Sequence, residues 1–384
     1  MIRWLRVATL ILVSAAGLCL LGPLTRSGQA PLAQNPSGNA PPAGGQRTLV
    51  FVGDVMLSRG VGSSMKARND WAYPFREVVE TLHSADLAFC NLECPVSDQG
   101  RNQHHLYSFR ADPRSLEGLK QAGFNVVSQA NNHAFDWGPA ALLDSVERLR
   151  GVGILTVGAG QNDLEAHYPT LVDVGGPPSR PERDPGDRSA LGPEGGAGPA
   201  FAGGPSVGRS QGGLKVGFLA YVNIDPKEAT AGIDRPGVAW LEPERVVADI
   251  RFARPLVDVL VVCPHWGVEY ASQPTPEQVR LAHQMIDAGA DLIVGSHPHV
   301  VQPLEQYRGR WIAYSLGNFV FDQKNPATHR GLMLKVTVRD QRIVELLPVA
   351  IAINPRYQAF LAPPHAPAPR TLLARRTSGG SHAQ

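Results

Sequence analysis

The stretch Ser128–Gly138, SQANNHAFDWG, decides how the chain is read. It follows the apolar run Phe124-Asn125-Val126-Val127, so it stands where a strand ends. A turn at that point needs only Gly or Pro, with Asn or Asp as common alternatives. Adjacent amides, an imidazole and a carboxylate between Asn131 and Asp136 exceed that need. Such crowding is expected where an α/β sheet binds its ligand, outside the carboxyl ends of its strands.

The same placement recurs along the chain. Asp54 follows LVFVG, Glu93 follows LAFCNL, Asn132 and His133 follow NVVSQAN, His265 follows VLVVCP, and His297 and His299 follow LIVGS. Between these runs lie helical patterns: FREVVETLHSA, DPRSLEGLKQAG with an Asp cap and a Gly stop, GPAALLDSVERLRGVG, EPERVVADIRFAR and TPEQVRLAHQMIDAGA. The last part turns to strands alone, RWIAYSLGNFVF, RGLMLKVTVRD and RIVELLPVAI. Strands alternating with helices predict an α/β body, and the strand-rich end predicts a second or mixed sheet beside it.

Taken singly, each polar residue has an ordinary explanation. Asp54 could cap a helix, Asn131-Asn132 could form a turn, and His265 could be a packed histidine. Their joint arrival at strand ends is what points to one site. His297-Pro298-His299 adds a requirement, because alternate residues of an extended chain face opposite sides. Both imidazoles reach one site only if the chain turns locally. His83, His104, His105, His167, His283 and His329 fall in helices or loops without such partners and are read as structural or solvated.

Composition bounds the rest. The 384 residues, 43% of them hydrophobic, suffice for a sizeable core. A formal charge of +2 with scattered Lys and Arg argues against nucleic acid as a partner. Cys19, Cys90, Cys94 and Cys263 show no paired C-x-x-C spacing, and a bridge between Cys90 and Cys94 would strain the motif they flank. Arg3 and Arg6 precede an uncharged apolar run from Val7 to Leu24, so residues 1–27 read as a signal peptide or membrane anchor. That predicts an exported chain at the cell envelope, anchored or secreted. Residues 28–47 are a Pro/Gly-rich linker, 175–213 a disordered insertion, and 356–384 a disordered tail, around a folded domain at 48–355.

Carboxylate, amide oxygen and neutral imidazole together suit divalent Zn, Mn or Fe, whereas an all-oxygen set would suit Mg or Ca. A carboxylate bridging two such ions about 3.5–4 Å apart is the arrangement that activates a water and clamps a phosphoryl group. A further histidine beside the amide can then supply a proton.

Taken in order, GDVMLSRGVG (53–62), NLECPVSD (91–98), SQANNHAFDWG (128–138), CPHWGVEY (263–270), GSHPHVVQPLE (295–305) and YSLGNFVFD (314–322) resemble the bacterial CapA family of capsule and poly-γ-glutamate synthesis proteins. That family is related to the calcineurin-like metallophosphoesterases. The resemblance spans about residues 48–355 and implies a four-layer α/β/β/α sandwich with metals at the carboxyl edge of its sheets. It implies Asp54 as a first-metal ligand, Glu93 as the bridge, Asn132, His265 and His297 on the second metal, and His299 on the first. His133 resembles the general acid and Asp136 the carboxylate that orients it. Arg59 and Asn318 are expected near a substrate. One or two divalent ions per chain follow, as do an anionic polymer or phosphoester substrate and a membrane-associated capsule-synthesis complex as partner. The chain departs from the wider superfamily at Met56, where a histidine ligand is usual, and at Glu93, where Asp is usual. The first metal is thereby one ligand short, which leaves room for a non-catalytic role in polymer binding or assembly.

Overall fold

The computed structural model describes residues 45–175, 213–363 and 371–372. The expected export segment, most of the linker and nearly all of the insertion at 175–213 lie outside the described residues. No helix among the described residues is long and apolar enough to cross a membrane.

The first part of the chain runs β1 (Arg47–Val55), α1 (Arg59–Arg68), α2 (Val79–His83), β2 (Leu87–Leu92), α3 (Ser115–Ala122), β3 (Val126–Ser128), α4 (Gly138–Gly151), β4 (Leu155–Val157), β5 (Ala159–Gly160), α5 (Asp163–His167) and β6 (Thr170–Val174). The second part runs β7 (Leu214–Val222), β8 (Gly237–Val238), α6 (Pro243–Ala253), β9 (Val259–His265), α7 (Pro276–Ala288), β10 (Leu292–Val294), β11 (Leu304–Tyr307), β12 (Arg310–Ala313), β13 (Asn318–Val320), β14 (Arg330–Arg339), β15 (Arg342–Ile353), β16 (Ala359–Leu361) and β17 (Thr371–Leu372). One sheet has the order β16-β15-β14-β1-β2-β3-β4 with β13 also beside β1, and the other the order β17-β11-β12-β10-β9-β7-β6.

Strand periodicity explains the layering. In β1, Leu49 and Phe51 enter the core between the sheets, while Val50 and Val52 enter the core under α1–α4. In β9, Val259, Val261 and Cys263 face the other sheet, while Leu260 and Val262 meet Val246 and Ile250 of α6 and Met285 of α7. Strands buried on both faces read as unbroken apolar runs. Phe51 and Phe89 of one sheet meet Phe218 of the other, with Phe89 and Phe218 stacked at 5.5 Å. The result is the four-layer α/β/β/α sandwich. Thr275 and Gln278 form a capping box at the start of α7, reciprocally satisfying two backbone donors. Cys90, Cys94 and Cys263 are buried and free.

Three segments differ from their sequence reading. FREVVETLHSA yields only the short α2, because the chain ahead of it closes tighter turns, with Phe75 N–H donating to Ala72 and Val78 N–H to Phe75. The run 311–321 is not one strand: β12 belongs to one sheet and β13 to the other, joined through Gly317 at φ 65°. The folded body also continues past 355, since β16 pairs with β15 and Ala359 is fully buried.

The crossing at Gly317 needs a second glycine. A Cβ on Gly53 would stand 1.8 Å from the Gly317 carbonyl oxygen, which accepts from Asp54 N–H at 3.0 Å. Gly53→Ala is therefore expected to destabilise the fold by about 1–3 kcal/mol, the usual range for overpacking. Gly151→Ala, in helix α4 with nothing within 4 Å of a new Cβ, is expected to add about 0.5–1 kcal/mol. Thermal melts of both variants check this, and equal melting temperatures would show that the two strands can part freely.

Candidate metal centre

Register sets the centre. Asp54 pairs with Asn91 on β2 and with Asn318 on β13, so three polar side chains lie abreast at strand ends. Glu93 follows directly, its N–H donating to Val55 O at 2.8 Å. Both carboxylates are fully buried. The Asn91 amide donates to Asp54 Oδ1 at 2.9 Å and to Glu93 Oε2 at 3.1 Å. The other oxygens, Asp54 Oδ2 and Glu93 Oε1, have no hydrogen-bond partner. Burial, and after it the charge of Asp54, pushes the Glu93 carboxyl well above its ordinary range.

His299 closes this group. The Asn318 amide donates from Nδ2 to Gln323 Oε1 and Thr328 O, which turns its Oδ1 toward His299 Nδ1 at 2.9 Å. That oxygen accepts from Nδ1–H, and in the neutral ring Nε2, 3.5 Å from Glu93 Oε1, is the nitrogen that can bind a metal. Nδ1 also lies 3.2 Å from Asp54 Oδ2, but its N–H aims at Asn318, so the carboxylate oxygen stays unpartnered. Asp54, Glu93 and His299 each offer one ligand atom within 4.8 Å of the others.

A second group adjoins it. His265 ends β9, with Nε2 2.8 Å from Asn132 Oδ1 and Nδ1 2.9 Å from Ser296 Oγ. Its ring lies 4.9 Å from that of His297, whose Nδ1 has no partner. His297 and His299 sit in left-handed backbone, φ 96° and 58°, and this is the local turn that brings alternate residues to one site. Burial lowers the pKa of His265 well below the ordinary imidazole range and that of His297 to about 3. Both rings are neutral at physiological pH, the form that binds metals.

The opening stretch supplies a third group. His133 Nδ1 meets Asp136 Oδ2 at 2.8 Å, and Phe109 N–H donates to the same oxygen at 2.7 Å. The Phe109 ring lies against His133, centroids 3.9 Å apart. Asp136 Oδ1 faces His105 Nδ1 at 3.0 Å. Arg59 is bidentate to Asp322 and lies 4.7 Å from the Phe109 ring centre.

All the expected ligands thus lie at this edge, and Arg59 stands beside it through Phe109. Asn318 is buried against His299. Met56 is fully buried in the core under the helices, its Sδ approached by Ser58 N–H. Sequence reasoning passed over Asn91 and Asp322 and read His105 as structural or solvated, whereas it meets Asp136. Asn91 had a signal, an amide inside the otherwise apolar strand LAFCNL; His105 and Asp322 lie in loops whose patterns carry none. Unpartnered buried carboxylate oxygens, a carbonyl oxygen and neutral imidazoles form a donor set that fits divalent metal.

The family described as bacterial capsule synthesis protein PGA_cap matches residues 48–178 and 196–323. The capsule biosynthesis protein CapA of Bacillus anthracis is 29% identical over 79% of this chain and 67% of its own length. The PGA biosynthesis protein CapA of Bacillus subtilis is 31% identical over 71% of this chain and 63% of its own length. A probable polyglutamine synthesis accessory protein of Mycobacterium tuberculosis is 31% identical over 75% of this chain and 71% of its own length. The chain thus spans about two thirds of the length of the curated relatives it matches. Among solved structures, the calcineurin-like phosphoesterase YfkN from Bacillus subtilis aligns with 80% of this chain and 91% of its own, at 11% identity and a TM-score of 0.42. A match that takes in the strand-end motifs on both sides of the insertion, with relatives at such coverage, makes the chain a member of the bacterial capsule synthesis protein family.

Proposed function

We propose that this protein is an exported, metal-dependent, phosphoesterase-like hydrolase acting on an anionic substrate in capsule or poly-γ-glutamate production. The observation that carries the reading is the set of unpartnered buried donors, Asp54 Oδ2, Glu93 Oε1 and His297 Nδ1, beside the His133–Asp136 pair. Asp54, Glu93 and His299 would hold one ion of Mn, Zn or Fe, and Glu93, Asn132, His265 and His297 a second. Such ions polarise a phosphoryl oxygen and ease deprotonation of water. Asp136 holds His133 by Nδ1, so Nε2 is the atom that hands a proton to the leaving oxygen. Arg59 offers its guanidinium to an anionic group of the substrate. The basic and apolar N-terminus supports export.

Met56 supports a second reading. With that side chain in the core, the first site has three donors in Asp54, Glu93 and His299. A weakly filled first site suits a subunit that retains an anionic polymer for a membrane-associated complex without turning it over.

Elemental analysis of the full chain separates the two: about two ions per chain support the hydrolase, and one ion, lost in Asn132→Ala or His265→Ala, supports the binding subunit. His133→Ala is expected to reduce turnover of a model phosphoester about 10²- to 10⁴-fold with metal content unchanged, and unaltered turnover would count against catalysis. Glu93→Gln tests the buried carboxylates directly. Because the folded pKa of Glu93 is raised, the metal-free fold binds an extra proton, and stability from this group falls as pH rises from the ordinary carboxylate pKa toward the raised value. Metal-free Glu93→Gln is therefore expected to gain stability relative to the parent as pH rises through that window, and to lose the parent's stabilisation by Mn. Parallel pH dependences would show that Glu93 carries no such strain.

A further inference from the structure

The opposite end of the sandwich carries a second group of converging side chains. A cavity of about 260 Å³ opens there, lined by Arg254, Arg310, Arg342 and Gln341 around Asp258 and Asp291. It lies at the amino ends of β9, β10 and β12, whose carboxyl ends face the metal edge, and the hairpin of β14 and β15 from the other sheet forms its rim.

Charge is unbalanced in it. Asp291, nearly buried, is held by both Arg254 and Arg310 and by Leu260 N–H. Arg254 also donates to the carbonyls of Val257, Asp258 and Gly289, so it forms a rigid floor and covers the carbonyl end of α7. Asp258 accepts from the backbone N–H of Lys215. Arg342 has no ion pair among the described residues, and the Arg310 side chain is 43% exposed. Three guanidiniums therefore face two carboxylates, one of which already binds two of them.

The rim is built at a conformational cost. Arg339 pairs with Arg342 across a two-residue turn whose residues, Asp340 and Gln341, both take left-handed φ, 49° and 61°. Asn-Gly fills such a turn at the least cost. Gln at its second position brings an amide donor to the cavity beside Arg342.

We infer that this cavity is a second anion site, in which Arg310, Arg342 and the Gln341 amide bind a carboxylate group of an acidic chain or of a free dicarboxylate. Guanidinium forks match carboxylate geometry, and Asp291 already accepts one N–H from each of two of them. The inference does not depend on metal or turnover at the other edge.

The test is calorimetric titration of the full chain, stripped of metal with a chelator, using γ-linked pentaglutamate and free glutamate as probes. Pentaglutamate is expected to bind, to weaken about tenfold in Arg342→Gln or Arg310→Gln, and to weaken with added salt. Binding of both probes at similar strength identifies a single-carboxylate site, whereas tighter pentaglutamate binding identifies an acidic chain as the ligand. Two variants guard against misfolding, Arg342 being exposed. Binding that survives both variants but is lost in Arg59→Gln would place the polymer at the metal edge alone and overturn the inference. So would attachment to anionic phospholipid vesicles with no heat from either carboxylate probe.

Discussion

Asp54 and Glu93 are buried together, and among the described residues no Lys or Arg pairs with either. Two carboxylates in a low-dielectric interior repel, and burial penalises each charge further. A chain that keeps them there must bring in a proton or a cation. The surrounding architecture is arranged around that pair. Asn91 satisfies one oxygen of each and leaves the other open, while Asn318 holds His299 by Nδ1 so that Nε2 faces the same point. Substituting either acid would relieve the repulsion and remove a metal donor with it.

This arrangement depends on a backbone contact that admits no side chain. Gly53 and Gly317 meet where the chain passes from one sheet to the other. The passage places Asn318 in register with Asp54, although β12, a few residues earlier, pairs with β10 in the second sheet. A continuous strand over 311–321 would have carried Asn318 away from β1. The crossing is thus part of the metal edge as well as of the fold.

Much of this was legible in the sequence, and the missing parts have physical reasons. Apolar runs ending in Asp, Glu, Asn or His marked the strand ends, because each strand is buried on both faces and polar residues are tolerated only where it leaves the core. The turn at His297 and His299 followed from the period of an extended chain. The sheet change at Gly317 did not, since SLGNF reads equally as a strand interior and a crossing. His105 was set aside because a loop histidine has no periodic pattern to place it. Its contact with Asp136 joins positions 31 residues apart through folding alone. Asn91 was passed over for the opposite reason, lying inside a strand where one amide is easily read as a tolerated substitution.

Met56 shows how a departure from a family pattern changes the balance of a site. Its side chain lies in the core beneath the helices, so position 56 contributes packing and no donor. What remains near Asp54 is two carboxylates and one imidazole, and beside them lie the Asn132 amide oxygen and the His265 and His297 imidazoles. With Glu93 shared as proposed, the second group would have four donors to the first group's three. An ion held there would partly offset the charge on Glu93 and weaken the attraction left at Asp54 and His299. The same acid that would draw the first ion would then limit the hold on a second. On the proposed reading, a one-ion or a two-ion centre would be decided less by the fold, which delivers these donors to one edge, than by how far a single shared carboxylate could be divided between two cations.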